Sequence, residues 1–399
     1  MQEPDVQKIE ELLNRGVDEV IGDDALRASL EAGKKLTIKL GVDPTSPHLH
    51  LGRTVPLLKL RDFQELGHNI VFVVGDFTGV IGDTSDKESE RPMLDEETIE
   101  TNKERYFKQV GMLVDLDKAE FRYNSEWLGT LTYKEVGEHA NQFSVADFIA
   151  RDNIKRRLDA GKRVSLREVL YPLMQGYDSV ELKADVEVGG SDQRFNMLAG
   201  RTLQEHFNQA PQAVITNPLI AGTDGRKMSS SWGNTINLTD EPNDMYGKVM
   251  RVHDNLIIEY FTLLTRVPLG DVEQLRAGLE HGDLHPRDVK MQLAHAIVSL
   301  YHGDTVADEA QHVFQHVFQE QQIPDDIPEV SVASGTALVE VLMDAGVVAS
   351  KSEWRRLVEG GAVKGVGDAT AVVSDTTCVV TEPSTYKIGK RRFVRINTT

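Results

Sequence analysis

Two short loops carry side chains suited to handling phosphate. The first runs Gly41-Val42-Asp43-Pro44-Thr45-Ser46-Pro47-His48-Leu49-His50-Leu51-Gly52-Arg53. It leaves a strand-like run, turns at Pro44 and Pro47, and enters a helix-like run. A helix start presents unpaired N–H groups and the positive end of the aligned peptide dipoles, which suits an anion. His50 can donate to phosphate oxygens, and Gly52 lets a flat ring approach the backbone. Arg53 adds a fixed cation with a planar fork of donors. The second loop runs Asn217-Pro218-Leu219-Ile220-Ala221-Gly222, then Thr223-Asp224-Gly225-Arg226-Lys227-Met228-Ser229-Ser230-Ser231. Asp224-Gly225 is a tight-turn signal. The small polar run beyond it holds Lys227 where a mobile loop could close a cation over developing negative charge. Taken singly, each loop reads more simply as an exposed polar turn; the pair is far more specific.

The elements that must position these loops are legible as an alternation. Leu36 to Val42 reads as a strand, and Leu57, Leu60, Phe63 and Leu66 recur at helical spacing. Ile70 to Val74 is a β-branched-rich strand, closed by Gly75-Asp76. Strand, helix, strand in this span is a βαβ unit and implies a parallel sheet. Ala184 to Val188 and Ala213 to Ile215 are further strand candidates, each running into a polar loop. Such loops lie at the carboxyl ends of strands, where doubly wound sheets bind ligands. Beyond Asn243 the pattern is helical: Val289, Leu293, Ala296, Ile297 and Leu300 share one face. The spacing predicts an α/β fold in four parts. These are a parallel-sheet domain over 1–238, an all-α domain over 239–320, a Pro/Asp-rich linker over 321–335 and a small α+β module over 336–399.

The 399 residues hold 44 Lys+Arg against 63 Asp+Glu, a formal charge of -19, which excludes a uniformly basic nucleic-acid binder. The charge is uneven. Lys351 to Thr399 carries nine basic and five acidic residues, a balance of +4, against -23 for the rest. That tail reads either as a solvated basic edge or as a nucleic-acid-binding module. Arg151, Lys155, Arg156, Arg157, Lys162, Arg163 and Arg167 form a second basic cluster, with the same two readings. The single cysteine, Cys378, excludes an intrachain disulfide and fits a reducing compartment. The acidic start, Met1 to Glu11, does not read as a signal peptide, and no run reaches the ~20 apolar residues of a membrane span. A cytoplasmic protein is expected. His312 and His316, and His281 and His285, have i, i+4 spacing but lack the neighbouring acid of a metalloprotease motif, so no metal site is expected.

His-Leu-Gly-Arg after the first strand, paired with Lys-Met-Ser-Ser-Ser after the last, resembles the two signatures of class I aminoacyl-tRNA synthetases. Those families usually read His-Ile-Gly-His and Lys-Met-Ser-Lys-Ser. Phe77-Thr78-Gly79-Val80-Ile81-Gly82-Asp83, Tyr171-Pro172-Leu173-Met174-Gln175-Gly176-Tyr177-Asp178 and Val188-Gly189-Gly190-Ser191-Asp192-Gln193 sharpen the likeness. Together they resemble bacterial tyrosyl-tRNA synthetases over nearly the whole chain. The resemblance implies a Rossmann-like catalytic domain, a helical anticodon-side domain, an S4-like RNA-binding module and a homodimer. It implies activation of tyrosine with ATP, accompanied by Mg²⁺, and transfer to tRNA.

A desolvated ammonium must be paired. The resemblance assigns that work to Thr78, Asp83, Tyr171 and Gln175, places Asn124 and Gln193 in the tyrosine site, and puts Asp178 on the phenol hydroxyl. For ATP it implies Gly41, Asp43, Thr45, His50, Gly52, Gly190, Asp192, Leu219, Ile220 and Lys227. His50, Arg53, Lys87, Arg91 and Lys227 are its implied catalytic groups. Contact with tRNA is expected from Lys155, Arg156, Arg157, Lys387, Lys390, Arg391 and Arg392. Three positions depart from the pattern: Arg53 for the second histidine, Ser230 for the second lysine, and Lys39 where many members have a tyrosine. Tryptophanyl-tRNA synthetases share the architecture, but Asp178 with Tyr171 and Gln175 argues against them. A synthetase-derived RNA-binding protein without catalysis is the other alternative, supported only by Arg53 and Ser230.

Overall fold

The computed structural model describes residues 5–44, 47–83, 96–316, 327–366, 372–389 and 392–398. Contacts divide the chain into two units, Met1–Asp308 and Glu309–Thr399. In the first, six strands form one sheet: β1 (Glu19–Ile21), β2 (Thr37–Val42), β3 (Asn69–Val74), β4 (Ala119–Tyr123), β5 (Val186–Gly190) and β6 (Ala213–Asn217). Their order is β1-β6-β5-β2-β3-β4. β1 runs antiparallel to β6, and all other pairs are parallel. Ile70 to Val74 is buried without a break, as expected for a strand covered on both faces. The expected βαβ unit is present, with α1 (Leu51–Glu65) connecting β2 to β3 in register from Thr37↔Asn69 to Val42↔Val74. β1 and β4 have too few buried residues to announce themselves in the sequence.

β2 pairs with β3 on one side and β5 on the other, so the strand order reverses between β2 and β5. Loops diverge at such a point and leave a crevice at the carboxyl ends of the strands. Helices α2 (Asp76–Ile81), α3 (Glu96–Val110), α5 (Leu166–Leu182) and α6 (Arg194–His206) line it, and α4 (Asp152–Asp159) is tied to the start of α5 by the Arg157–Glu168 ion pair. Ser165 and Glu168 close a capping box at the start of α5, which satisfies N–H groups that would otherwise lack partners. From that start, Tyr171, Gln175 and Asp178 follow at i, i+4 and i+7, on one helical face. Gly176 fixes the depth of α5. A Cβ there would lie 2.9 Å from the Ala199 carbonyl carbon and 3.0 Å from the Gly200 nitrogen of α6. Any side chain would push the two helices apart.

The sequence pattern predicts a separate helical domain beyond residue 238. The structure instead packs α7 (Pro242–Met250), α8 (Ile257–Leu264), α9 (Leu269–His281) and α10 (Pro286–His302) within the first unit. α8 lies on α1, Tyr301 Oη donates to Thr54 Oγ1 at 3.2 Å, and Arg266 Nη2 donates to the Leu58 carbonyl at 3.0 Å. Periodicity identifies the face a helix buries but not what it is buried against. His285 caps α10 by accepting from the Arg287 N–H at 3.2 Å.

The second unit holds β7 (Glu329–Val332), β8 (Thr336–Ala337), α11 (Leu338–Asp344), α12 (Lys351–Glu359), β9 (Val363–Val366), β10 (Val379–Val380), β11 (Ser384–Ile388) and β12 (Arg392–Thr398). One sheet has the order β7-β12-β11-β9, and β8 pairs with β10. Leu342, Trp354, Ile388, Val394 and Ile396 are buried together as its core. β7 corrects the expectation of a linker through residue 335. Val330 and Val332 pack on this core while Glu329 and Ser331 face out, and the strand pairs in parallel with β12. Two alternating valines beside a Pro/Asp-rich run are too weak a signal to read as a strand.

Candidate active site

The ends of β2, β5 and β6 line a cavity of about 540 Å³. At its β2 side, Asp43 accepts from Thr78 Oγ1 at 2.8 Å and from Tyr171 Oη at 2.7 Å. Asn124 donates to Thr78 Oγ1 at 2.9 Å, and its Oδ1 accepts from the Phe77 N–H at 3.1 Å. Gln193 Nε2 donates to Asp83 Oδ2 at 2.8 Å. The result is a wall of oxygen acceptors, the chemistry an ammonium group requires. Burial, and the carboxylate of Asp43 beside it, push the Tyr171 hydroxyl well above the usual phenol range, so it remains a donor.

Asp178 is the most enclosed carboxylate lining the cavity apart from Glu187, with 3% of its surface exposed. Its Oδ1 accepts from Trp127 Nε1 at 2.8 Å, and Asn124 Nδ2 lies 3.5 Å from Oδ2. Burial pushes its carboxyl up to about 7, against the pull of Lys39 and of the Trp127 and Asn124 hydrogen bonds. Near neutral pH this group is therefore poised between acceptor and donor. Gln175 Nε2 donates to Glu187 Oε1 at 3.0 Å.

The two signature loops meet. Leu51 N–H donates to the Ile236 carbonyl, Leu238 N–H donates to the Leu49 carbonyl, and the Gly52 N–H lies 3.3 Å from the Met228 sulfur. A Cβ at Gly52 would sit 3.1 Å from both the His50 ring and Ile220 Cγ2, so this turn is tight. Asn234 organises the second loop: its Nδ2 donates to Asp224 Oδ1 at 2.8 Å and the Lys227 carbonyl at 3.1 Å. Lys227 Nζ reaches across to Asp192 Oδ2 at 3.1 Å. Arg53, in the first turn of α1, also lines the cavity.

The structure thus brings to one cavity Gly41, Asp43, His50, Gly52, Arg53, Thr78 and Asp83 from the first half of the sheet. Asn124, Tyr171, Gln175, Asp178, Gly190, Asp192 and Gln193 join them, with Leu219, Ile220 and Lys227 from the β6 side. Thr45, Lys87 and Arg91 lie outside the described residues.

A family model described as tRNA synthetases class I (W and Y) matches residues 31–319. The chain is 45% identical to the tyrosine–tRNA ligase of Moorella thermoacetica over 402 residues, covering 99% of this chain and 97% of that one. It is 42% identical to the tyrosine–tRNA ligase of Thermotoga maritima, covering 97% and 96%. The chain belongs to the class I tyrosyl-tRNA synthetases. A truncated mitochondrial tyrosyl-tRNA synthetase from Coccidioides posadasii shares the fold with a TM-score of 0.62 at 26% identity, covering 77% of this chain and 91% of that one.

Several cavity groups of this synthetase escape sequence reasoning. Trp127 and Glu187 are buried polar partners whose spacing carries no signal. Tyr106, on α3, is buried in the cavity wall; burial pushes its hydroxyl up to about 12, opposed by the nearby Arg53 cation. No motif marks it, because its place depends on how α3 crosses the sheet.

The expected tRNA-contacting residues separate into distinct groups. Lys155 and Arg156 on α4 are exposed. Arg157 is not, and its expected role is corrected. Its guanidinium is buried, donating to Glu168 at 2.6 and 3.1 Å and to the Arg163 carbonyl at 2.7 Å. It holds α4 to the start of α5, because a buried carboxylate left unpaired is costly. Net charge counting cannot distinguish it from its exposed neighbours. Lys387 lies over the Phe393 ring at 5.5 Å, and Arg392 pairs with Glu353 at 2.9 Å. Lys390 and Arg391 lie outside the described residues.

Proposed function

We propose that this synthetase binds tyrosine against Asp178 and ATP beside it, along the two signature loops. The observation that carries the reading is Asp178: a nearly inaccessible carboxylate, lining the cavity and oriented by Trp127 and Asn124. A phenol hydroxyl completes its hydrogen bonding, whereas a phenyl ring leaves a buried polar group unmet. Asp83, Thr78, Tyr171 and Gln175 receive the ammonium. Gly41, Asp43, Gly52, Gly190, Leu219 and Ile220 enclose the nucleoside, with Asp192 on the ribose hydroxyls.

In the first step the tyrosine carboxylate attacks the α-phosphorus in line. The bond to the bridging oxygen breaks and pyrophosphate leaves. No protein nucleophile takes part, so rate comes from positioning and charge stabilisation. His50, Arg53 and Lys227 act on the developing charge, with Lys87 and Arg91 in the same role. In the second step a terminal ribose hydroxyl of tRNA attacks the adenylate carbonyl, and AMP leaves. Mg²⁺ is expected to arrive with ATP. Asp43, Asp83, Asp178 and Asp192 are each bonded to neighbouring side chains, and among the described residues no three His, Cys, Asp or Glu side chains gather into a metal-binding group.

ATP–pyrophosphate exchange across a panel of amino acids tests the reading. Exchange with tyrosine alone supports it. Exchange with tryptophan, or none, overturns it. For tRNA, the supporting feature is the exposed Lys155 and Arg156 of α4, with Lys387 and Arg392 on the S4-like second unit. Substituting Lys155 and Arg156 by glutamine is expected to weaken tRNA charging several-fold, with a shallower salt dependence than the parent's, while tyrosine exchange stays unchanged. Equal loss of both activities would sink that role. The homodimer belongs to the same reading, supported by Tyr133, Val145 and Leu166, which are 96%, 73% and 71% exposed. So does a place in the cytoplasm, where translation needs it. Among the described residues no helix is long and apolar enough to cross a membrane.

A further inference from the structure

Lys39 is wholly buried, at 0% exposure, in the middle of β2. It stands beside Glu187 in the β2–β5 register, where the strand order reverses. Its Nζ lies 3.0 Å from Glu187 Oε1 and donates to the Gln175 carbonyl at 2.9 Å and Ser179 Oγ at 2.8 Å. Those contacts use all three ammonium protons. Glu187 is equally occupied. Its Oε1 accepts from Gln175 Nε2 at 3.0 Å, and its Oε2 accepts from Ser179 Oγ at 3.2 Å and Gln212 Nε2 at 2.6 Å.

Glu187 lines the cavity, whereas Lys39 does not, so Lys39 acts through others. The two α5 groups it holds, at 175 and 179, bracket Asp178. Gln175 is gripped twice, by its carbonyl to Lys39 and by its side-chain amide to Glu187. That second grip leaves the Gln175 Oε1 as the end turned to accept. A buried ion pair costs desolvation energy that an apolar pair of similar volume would avoid, so stability alone is a weak reason for one here.

We propose that Lys39 is a positioning and specificity-determining residue for tyrosine. Through Glu187, Ser179 and the Gln175 backbone, it fixes the turn of α5 that presents Gln175 and Asp178. This inference rests on the tyrosine reading of the cavity given above. A second effect comes from its charge. The groups facing Asp178 are Lys39 from β2, Glu187 from β5, and Trp127 and Asn124 from the segment after β4. Lys39 is the foremost of those that favour the ionised, accepting form. Removing it moves the ionisation of Asp178 to higher pH, so tyrosine recognition is lost at a higher pH as the solution is acidified.

The test measures ATP–pyrophosphate exchange with tyrosine and with phenylalanine, across the neutral pH range. Three variants are compared with the parent: Lys39→Met, the charge-balanced Lys39→Met/Glu187→Gln, and Asp178→Asn. Lys39→Met is expected to raise KM for tyrosine roughly tenfold, with a smaller effect on kcat. The tyrosine-to-phenylalanine ratio of kcat/KM falls, and the acid limb for tyrosine moves up in pH. The double variant leaves no unpaired buried carboxylate, so it separates folding from positioning. It should keep a reduced ratio and an upward-shifted limb, both smaller than in the single variant. A purely structural pair predicts equal losses for both amino acids and an unmoved limb. A folded double variant with the parent's ratio and pH profile overturns the proposal, as does failure of both Lys39 variants to fold. If Asp178→Asn keeps the parent's ratio, the tyrosine reading itself is wrong, whatever Lys39 does.

Discussion

Replacing Asp178 by asparagine is expected to lower kcat/KM for tyrosine roughly 30- to 150-fold, the equivalent of about 2–3 kcal/mol for a hydrogen bond to a charged group. Phenylalanine should lose nothing and could gain, because the penalty of burying an unmet carboxylate disappears with the charge. The preference between the two amino acids therefore collapses from both sides. The fold should tolerate the change. Asparagine is nearly isosteric, and its Oδ1 can keep the Trp127 hydrogen bond of 2.8 Å. A pH profile gives an independent check on the parent. Burial raises the Asp178 carboxyl to about 7, so tyrosine recognition that depends on the ionised acceptor weakens as pH falls through that value. The asparagine variant should lack this acid limb. Steady-state exchange with both amino acids measures all of this. An unchanged preference would remove Asp178 from the phenol site.

Lys227→Ala is expected to slow adenylate formation about 10²- to 10³-fold, the usual scale for deleting one preorganised charge or donor at a developing anion. Ser230 supplies no second cation in this loop, so no lysine at that position can compensate. The loss should fall on kcat more than on KM for ATP. In the structure Lys227 pairs with Asp192 at 3.1 Å, on the carboxylate proposed for the ribose. Its removal frees that carboxylate, so ground-state ATP binding should be preserved while the transition state loses its partner. Single-turnover adenylate formation, with ATP concentration varied, separates the two. A rise in KM with kcat intact would assign Lys227 to ground-state binding instead.

Much of this was legible because it is local. Ile70–Val74 is apolar without interruption, as a parallel strand covered on both faces requires, and Leu36–Val42 keeps an aliphatic residue at every second position. Tyr171, Gln175 and Asp178 share a helical face by their spacing alone. The linker expectation failed at Glu329–Val332, where the core of the second unit recruits two valines that the sequence offers no context for. The expectation for Arg157 failed for a related reason. Its charge is visible in the sequence, but Glu168, eleven positions on, meets it only once α4 folds back on α5.

By itself the sequence determined the chemistry on offer: two loops of phosphate-binding character, a face of acceptors on one helix, and strands to carry them. These follow from residue type and short-range spacing, which physics fixes within a few residues of chain. Tertiary structure decided which of those groups share a solvent-excluded volume, and hence their charge state. Lys39 shows the difference. A lysine in a strand reads as a solvent-facing cation, yet pairing of β2 with β5 sets it beside Glu187 and behind α5, wholly out of water. Burial and partners separated widely in sequence, rather than the residue itself, turn that side chain from a surface charge into part of the cavity's frame.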